Sequence, residues 1–231
     1  PLIPLDVGAR MLVDEVWGSS PDQVQLVMGG APRPEALLPA AGGRKATFSL
    51  SIGADTHPWL TDHAIDGTPV VPVVLVVEWF ARAAAALRPD LHAITVDDLK
   101  VLGGLPLGDW PAETRLNVEV VELANGVGST VQALLTDAAG RRRYSAQVHL
   151  TEARPIARPW TGSAPKLDAW GDQDVYGDVL FHGPELRVIR MVEGASSTGI
   201  AAALDGVVGT SWLGGPWATD VAAFDGGLQL A

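Results

Sequence analysis

The amino-acid sequence predicts an α+β fold in which a long buried helix lies against an antiparallel sheet, followed by a shorter return of the same arrangement. Three observations carry this expectation. Residues 73–87 are apolar almost all round and Ala-rich toward their end, a length and pattern that favour a buried helix over a strand. Strand-like runs follow at residues 94–102, 114–123, 130–136 and 143–150. After a stretch containing Pro155, Pro159 and Pro165, the order loop, strands and apolar segment begins again.

Taken in order, residues 6–16 place Val7, Met11 and Leu12 on one helical face, with Asp6 able to cap its start. A short strand at 24–28 stops at Gly29-Gly30, and residues 31–43 are rich in Pro, Ala and Gly. Residues 1–43 thus form a helix–strand–linker segment, either the tail of a preceding domain or an N-terminal extension of the same one. The first unit spans residues 44–150. It opens with an alternating strand at 46–52 and a polar loop from His57 to His63, then enters the 73–87 helix, which stops at Arg88-Pro89. Ala138-Ala139-Gly140 reads as a hairpin turn. Residues 151–175 form a second linker. The second unit, 176–231, holds strands at 186–192 and 198–204, a further strand at 207–210 and an apolar stretch at 221–231. That last stretch is expected to belong to a longer helix, so the second unit is expected to be truncated. The missing initiator Met also suggests a piece of a longer chain.

Composition removes several classes of function. With 47% hydrophobic and 19% charged residues, the 231-residue chain can bury a core and is not expected to be disordered. A formal charge of −11 opposes a phosphate-tracking surface, so no nucleic-acid partner is expected. The chain has no Cys, which removes disulfides, a thiolate nucleophile and Cys-based zinc sites. Five His spread along it form no metal pattern, and neither a phosphate-binding Gly-Lys loop nor a GxSxG elbow is present. No metal or cofactor is expected. The apolar run from Val70 to Val77 is broken by Glu78 and Arg82, too short for a membrane span, and the N-terminus has no signal-peptide pattern. A cytoplasmic location without membrane attachment is expected.

The chemistry centres on His63. Gly67 follows four positions on, where it lets the backbone pass close to a substrate, and Pro72 follows nine positions on, at the start of the apolar helix. That order brings an imidazole near a helix N-terminus with apolar walls. A neutral His facing a desolvated Asp suits removal of a proton from carbon and donation of one to a leaving hydroxyl. Backbone N–H groups at the helix start suit a polarised carbonyl. Nearby, His57 is expected to pack its loop, and Glu78 and Arg82, four apart on one helical face, are expected to pair. Arg141-Arg142-Arg143 is a basic tip, either a solvated turn or a surface facing an acidic partner.

The stretch His57-Pro-Trp-Leu-Thr-Asp-His63-Ala-Ile-Asp-Gly67-Thr-Pro-Val-Val-Pro72 resembles the catalytic motif of polyketide-synthase dehydratase domains, in which the His is the base. Asp225-Gly-Gly-Leu-Gln229 is similar to that family's second motif, an Asp followed four positions on by Gln or His; Asp220, followed by Phe224, is not. Phe181-His182-Gly183-Pro184 is similar to a third, usually Tyr-Gly-Pro. The sequence departs from the family at Val73, usually Gly, at His182, usually Tyr, and at Leu186, usually Phe. These departures, with Glu78-Trp79-Phe80, look more like dehydratases of polyunsaturated-fatty-acid and other iterative synthases.

The resemblance implies a double hotdog fold and dehydration of a carrier-bound 3-hydroxyacyl thioester by His63 and Asp225. Gly67, Pro72, His182, Gly183, Pro184 and Gln229 would contact substrate or, for Gln229, hold the Asp225 carboxyl. It also implies an acyl carrier protein with a phosphopantetheine-linked chain as partner, neighbouring synthase domains, and a homodimer. The first 30 residues resemble the closing helix and strand of a ketoreductase domain. Dehydration with double-bond isomerisation, product-template-type cyclisation and an inactive double-hotdog scaffold are the alternatives.

Overall fold

A computed structural model describes residues 43–123, 129–153, 166–171 and 173–231. The expected helix and strand before residue 43 lie outside the described residues, as does most of the proline-bearing linker. The described residues fall in one compact unit, residues 42–231.

Five strands form an antiparallel sheet: β1 (Lys45–Ile52), β4 (His92–Val101), β5 (Thr114–Leu123), β6 (Ser129–Asp137) and β7 (Arg142–Thr151), in the order β1-β5-β6-β7-β4. Alternation puts Leu116, Val118 and Val120 of β5, Val131, Ala133 and Leu135 of β6, and Ala146, Val148 and Leu150 of β7 on the inner face, all buried. Helix α1 (Val73–Leu87) lies on that face and buries Leu75, Val76, Trp79, Phe80 and Ala84 against it. The helix and the five strands expected here are therefore present, with strand ends shifted by a residue or two.

Between β1 and α1 the chain makes a 3-10 turn, Pro58–Asp62, and a tight hairpin of β2 (Ala64–Ile65) and β3 (Thr68–Pro69). The two turn residues, Asp66 and Gly67, have φ of 51° and 77°. Two successive positive φ values define the Asp-Gly hairpin turn, so the fold requires Gly67 for its conformation. A Cβ at Gly67 would meet no other protein atom within 4 Å, so within the chain it is the turn's positive φ, not crowding, that calls for glycine.

The second unit pairs β8 (Ile189–Ser196) with β9 (Gly199–Leu204), and Asp168 bridges Ala195 beside them. Helix α2 (Val221–Gln229) follows. Two expectations are corrected. Residues 207–210 form a 3-10 turn, not a strand, because Val207 N–H is taken by the Asp220 side chain and Thr210 turns back to bond Val207. Asp220 is the N-cap of α2, accepting from Ala223 N–H at 3.0 Å, so Asp225 lies inside the helix. The strand expected at 186 also starts later, since Pro184–Leu186 is a 3-10 turn.

The basic tip is partly neutralised from within. Asp137 accepts from the side chains of both Arg141 and Arg143, which hold its carboxyl well below the usual carboxylate range against the opposing effect of burial. No helix among the described residues is long and apolar enough to cross a membrane.

Candidate active site

His63 sits where the 3-10 turn runs into β2. Its backbone N–H bonds Leu60 O and its carbonyl accepts from Val70 N–H at 2.8 Å, fixing the Cα across the mouth of the hairpin. The ring then reaches the same partner: Nδ1 lies 2.6 Å from Val70 O. A carbonyl only accepts, so Nδ1 is a donor, and in the neutral ring this leaves the lone pair on Nε2, the tautomer a general base needs. Phe181 and His182 flank the imidazole, each with its ring centroid 5.4 Å away.

Asp225 projects from α2 and is 4% exposed. Burial raises its affinity for a proton; the hydrogen bond from Gln229 and the His63 charge pull the other way and only partly offset it. Gln229, one helical turn on, donates to Asp225 Oδ2 at 2.7 Å and to Leu186 O at 3.0 Å. Its carbonyl oxygen accepts from the Tyr176 hydroxyl at 2.8 Å, and that hydroxyl accepts from Ile189 N–H at 2.7 Å. Every group in this relay has one possible direction. Ile189 N–H must donate and Leu186 O must accept, so the Gln229 amide points its N–H groups at Leu186 and Asp225. Oδ2 is thereby an acceptor, and a protonated Asp225 holds its proton on Oδ1.

The Gly183-Pro184 loop connects the two sides. Gly183 N–H bonds Asp62 O at 2.9 Å and Glu185 N–H bonds Asp62 Oδ2 at 2.7 Å, tying the loop to the residue before His63. The far end of the loop, Leu186, is the carbonyl that holds Gln229. Gly183 has no room for a side chain: a Cβ there would stand 2.5 Å from the Asp62 carboxyl. His182 is 8% exposed, its Nδ1 has no partner among the described residues, and its pKa is lowered to about 4, first by burial and then by the His63 charge.

Pro72 is the N-cap of α1 and offers no capping side chain; Leu75 N–H bonds Pro72 O, so Val73 and Val74 are the first-turn N–H groups that suit a carbonyl. His57 is buried against its loop and bonds Thr56 Oγ1 at 2.9 Å. The expected Glu78–Arg82 pair does not form. Glu78 is fully buried and accepts from Ala218 and Thr219, while Arg82 donates to Gly214 O. Sequence reasoning missed Tyr176 and Asp62. Tyr176 stands at the edge of the expected linker, and Asp62 carries no signal of its own beside His63. Among the described residues no cluster of His, Asp and Glu is arranged to hold a metal ion.

An apolar groove of about 950 Å³ runs between α1, β4 and α2, past Val77, Ala81, Leu99, Phe224 and Leu228. It is on the face of α2 opposite Asp225 and excludes His63.

Residues 35–134 match the family model of the polyketide synthase dehydratase domain. Over 230 residues the chain is 29% identical to a polyunsaturated fatty acid synthase polypeptide of Thraustochytrium sp., covering 97% of this chain and 8% of that protein. Among solved structures it is similar to a fusion DH domain, with 24% identity and a TM-score of 0.55 over 80% of this chain and 64% of that one. The dehydratase domain from the terminal module of the rifamycin polyketide synthase is similar too, with 22% identity and a TM-score of 0.57 over 83% and 72%. The chain thus spans under a tenth of the curated relative and about two thirds of the fusion domain, and its fold is the double hotdog of those domains.

Proposed function

Starting from this chain's place among the dehydratase domains of polyketide and polyunsaturated fatty acid synthases, we propose that it removes water from a carrier-bound 3-hydroxyacyl thioester. His63 Nε2 takes a proton from C2, the C3–O bond breaks as the C2=C3 bond forms, and Asp225 Oδ1 gives its proton to the departing oxygen. The products are a 2-enoyl thioester and water. First-turn N–H groups of α1 suit the thioester carbonyl, whose oxygen gains charge as the C2 proton leaves. His182, Gly183 and Pro184 line the approach between the two groups, and an acyl carrier protein delivers the substrate on phosphopantetheine. No redox step occurs, so no cofactor is required.

One observation supports this above the others: the surroundings of the two groups differ in the way an acid–base pair requires. The Val70 carbonyl leaves His63 Nε2 free to accept, while burial biases Asp225 toward holding a proton and Gln229 directs that proton to Oδ1.

Turnover of a 3-hydroxyacyl thioester by the purified chain, beside His63→Ala and Asp225→Asn, tests the assignment. Loss of about 100-fold or more in each variant is the size expected of a general acid or base. An inert wild-type chain that still binds the thioester would make it a scaffold instead.

A further inference from the structure

Each of the two central helices carries one buried carboxylate, and the two are used in opposite ways. Asp225 on α2 receives one amide N–H and keeps Oδ1 without a partner among the described residues. Glu78 on α1 is 0% exposed and has both oxygens occupied: Oε1 accepts from Ala218 N–H at 2.7 Å, and Oε2 accepts from Thr219 N–H at 2.8 Å and Thr219 Oγ1 at 2.7 Å. All three donors come from the two residues immediately before Asp220, the N-cap of α2.

We infer that Glu78 is a positioning residue for Asp225: it latches the start of α2 onto α1 and so sets where the acid stands relative to His63. The path is short. Glu78 holds Ala218 and Thr219, Asp220 caps the helix, and Asp225 follows just over one turn later. Arg82, one turn along α1, straps the same segment by donating to Gly214 O at 3.1 Å. Helix α1 follows His63 through the short β2–β3 hairpin, with Pro72 as its N-cap. The helix that the base's loop leads into therefore also grips the start of the acid's helix. A buried carboxylate is costly unless fully hydrogen-bonded, and an apolar side chain would fill this core position at lower cost. Directional grip on backbone N–H groups is what the carboxylate adds. This role rests on Asp225 being the acid, but its position can be read without turnover.

The test is infrared titration of the Asp225 carboxyl, its band identified by its absence in Asp225→Asn, in the wild type and in Glu78→Gln. Gln turns an N–H toward a backbone N–H, which breaks one side of the latch. With α2 loosened, water reaches Asp225, and its band titrates at lower pH than in the wild type. Where the wild type dehydrates a 3-hydroxyacyl thioester, kcat falls about 10- to 100-fold with KM within a few fold, as misplacement of a reacting group does. Should Glu78→Gln fold poorly, Thr219→Val, which removes one donor, shifts the band in the same direction by less. A variant with a lower melting temperature but wild-type Asp225 titration overturns the inference. A shifted band in a chain that is inert toward the thioester overturns the dehydratase reading and leaves the latch standing.

Discussion

Gln229 donates to Asp225 Oδ2 at 2.7 Å from one turn along the same helix, and it cannot flip its amide without also losing its bonds to Leu186 and Tyr176. The orientation comes from the backbone of the second unit, through Leu186 O and, by way of Tyr176, Ile189 N–H. Tyr176→Phe deletes the hydroxyl that joins Ile189 N–H to the Gln229 carbonyl. Two partly buried polar groups lose their partner at a cost of about 1–3 kcal/mol, and the amide keeps only Leu186 O to set its orientation. A fall in kcat with little change in KM is expected, measured with a saturating 3-hydroxyacyl thioester. A loss confined to KM would mean that Tyr176 serves substrate binding instead.

Gly183 and Asp62 make a second prediction. With a Cβ placed 2.5 Å from the Asp62 carboxyl and 2.7 Å from its Cβ, Gly183→Ala cannot be absorbed by rotating a flexible side-chain end. The Asp62 carboxylate is already committed to Glu185 N–H. The loop has to lift, carrying Phe181 and His182 off the His63 ring. Overpacking of this kind costs about 1–3 kcal/mol. A lower unfolding midpoint in urea, with turnover reduced about tenfold or more, is the expected pair of results.

How much of this is legible in the sequence depends on the range of the interaction. Helix α1 is legible because apolar residues cover it almost all round from Val73 to Leu87, and β5 because Leu116, Val118 and Val120 alternate with Arg115, Asn117 and Glu119. The His63, Asp225 and Gln229 spacing is legible because it is local to a loop and to one helical turn. Glu78 misleads because i,i+4 spacing suggests Arg82, whereas its true partners are 140 and 141 residues away. Tyr176 escapes notice for the same reason: its partners, Ile189 and Gln229, are 13 and 53 residues distant. Residues 207–210 look β-branched enough for a strand, but the Asp220 side chain takes the Val207 N–H a ladder would need.

Two buried histidines predict acid sensitivity. His57 and His182 are each lowered from 6.5 to about 4 by burial, aided by the Arg82 and His63 charges respectively. A group whose folded value is depressed lends stability that is whole above its unfolded value and drains as pH falls through the folded one. Urea-unfolding free energies should therefore be flat above about pH 6.5 and fall toward pH 4. His182→Gln, which cannot protonate, should flatten part of that slope. An unchanged slope would place the proton uptake elsewhere.

Asp225 has the opposite sign. Its affinity for a proton is raised, chiefly by burial, so its folded value lies above its unfolded one. The stability it lends is complete below the ordinary aspartate range and is lost as pH rises through the folded value. At neutral pH the fold therefore carries a carboxyl that would ionise more freely if it unfolded. Asp225→Asn keeps the shape and removes the titration. It also keeps an acceptor oxygen for Gln229 in one amide orientation. The variant should melt at a higher temperature than the wild type at neutral pH, with the gap closing as the pH is lowered. It should also lose about 100-fold or more in turnover of a 3-hydroxyacyl thioester, as removal of a general acid does. Gain in stability with loss of activity is the signature of a strained functional group. Calorimetric melting across that pH range checks it: an Asn variant less stable than the wild type at neutral pH would show Asp225 to be a structural anchor, held for its hydrogen bond and not for its proton.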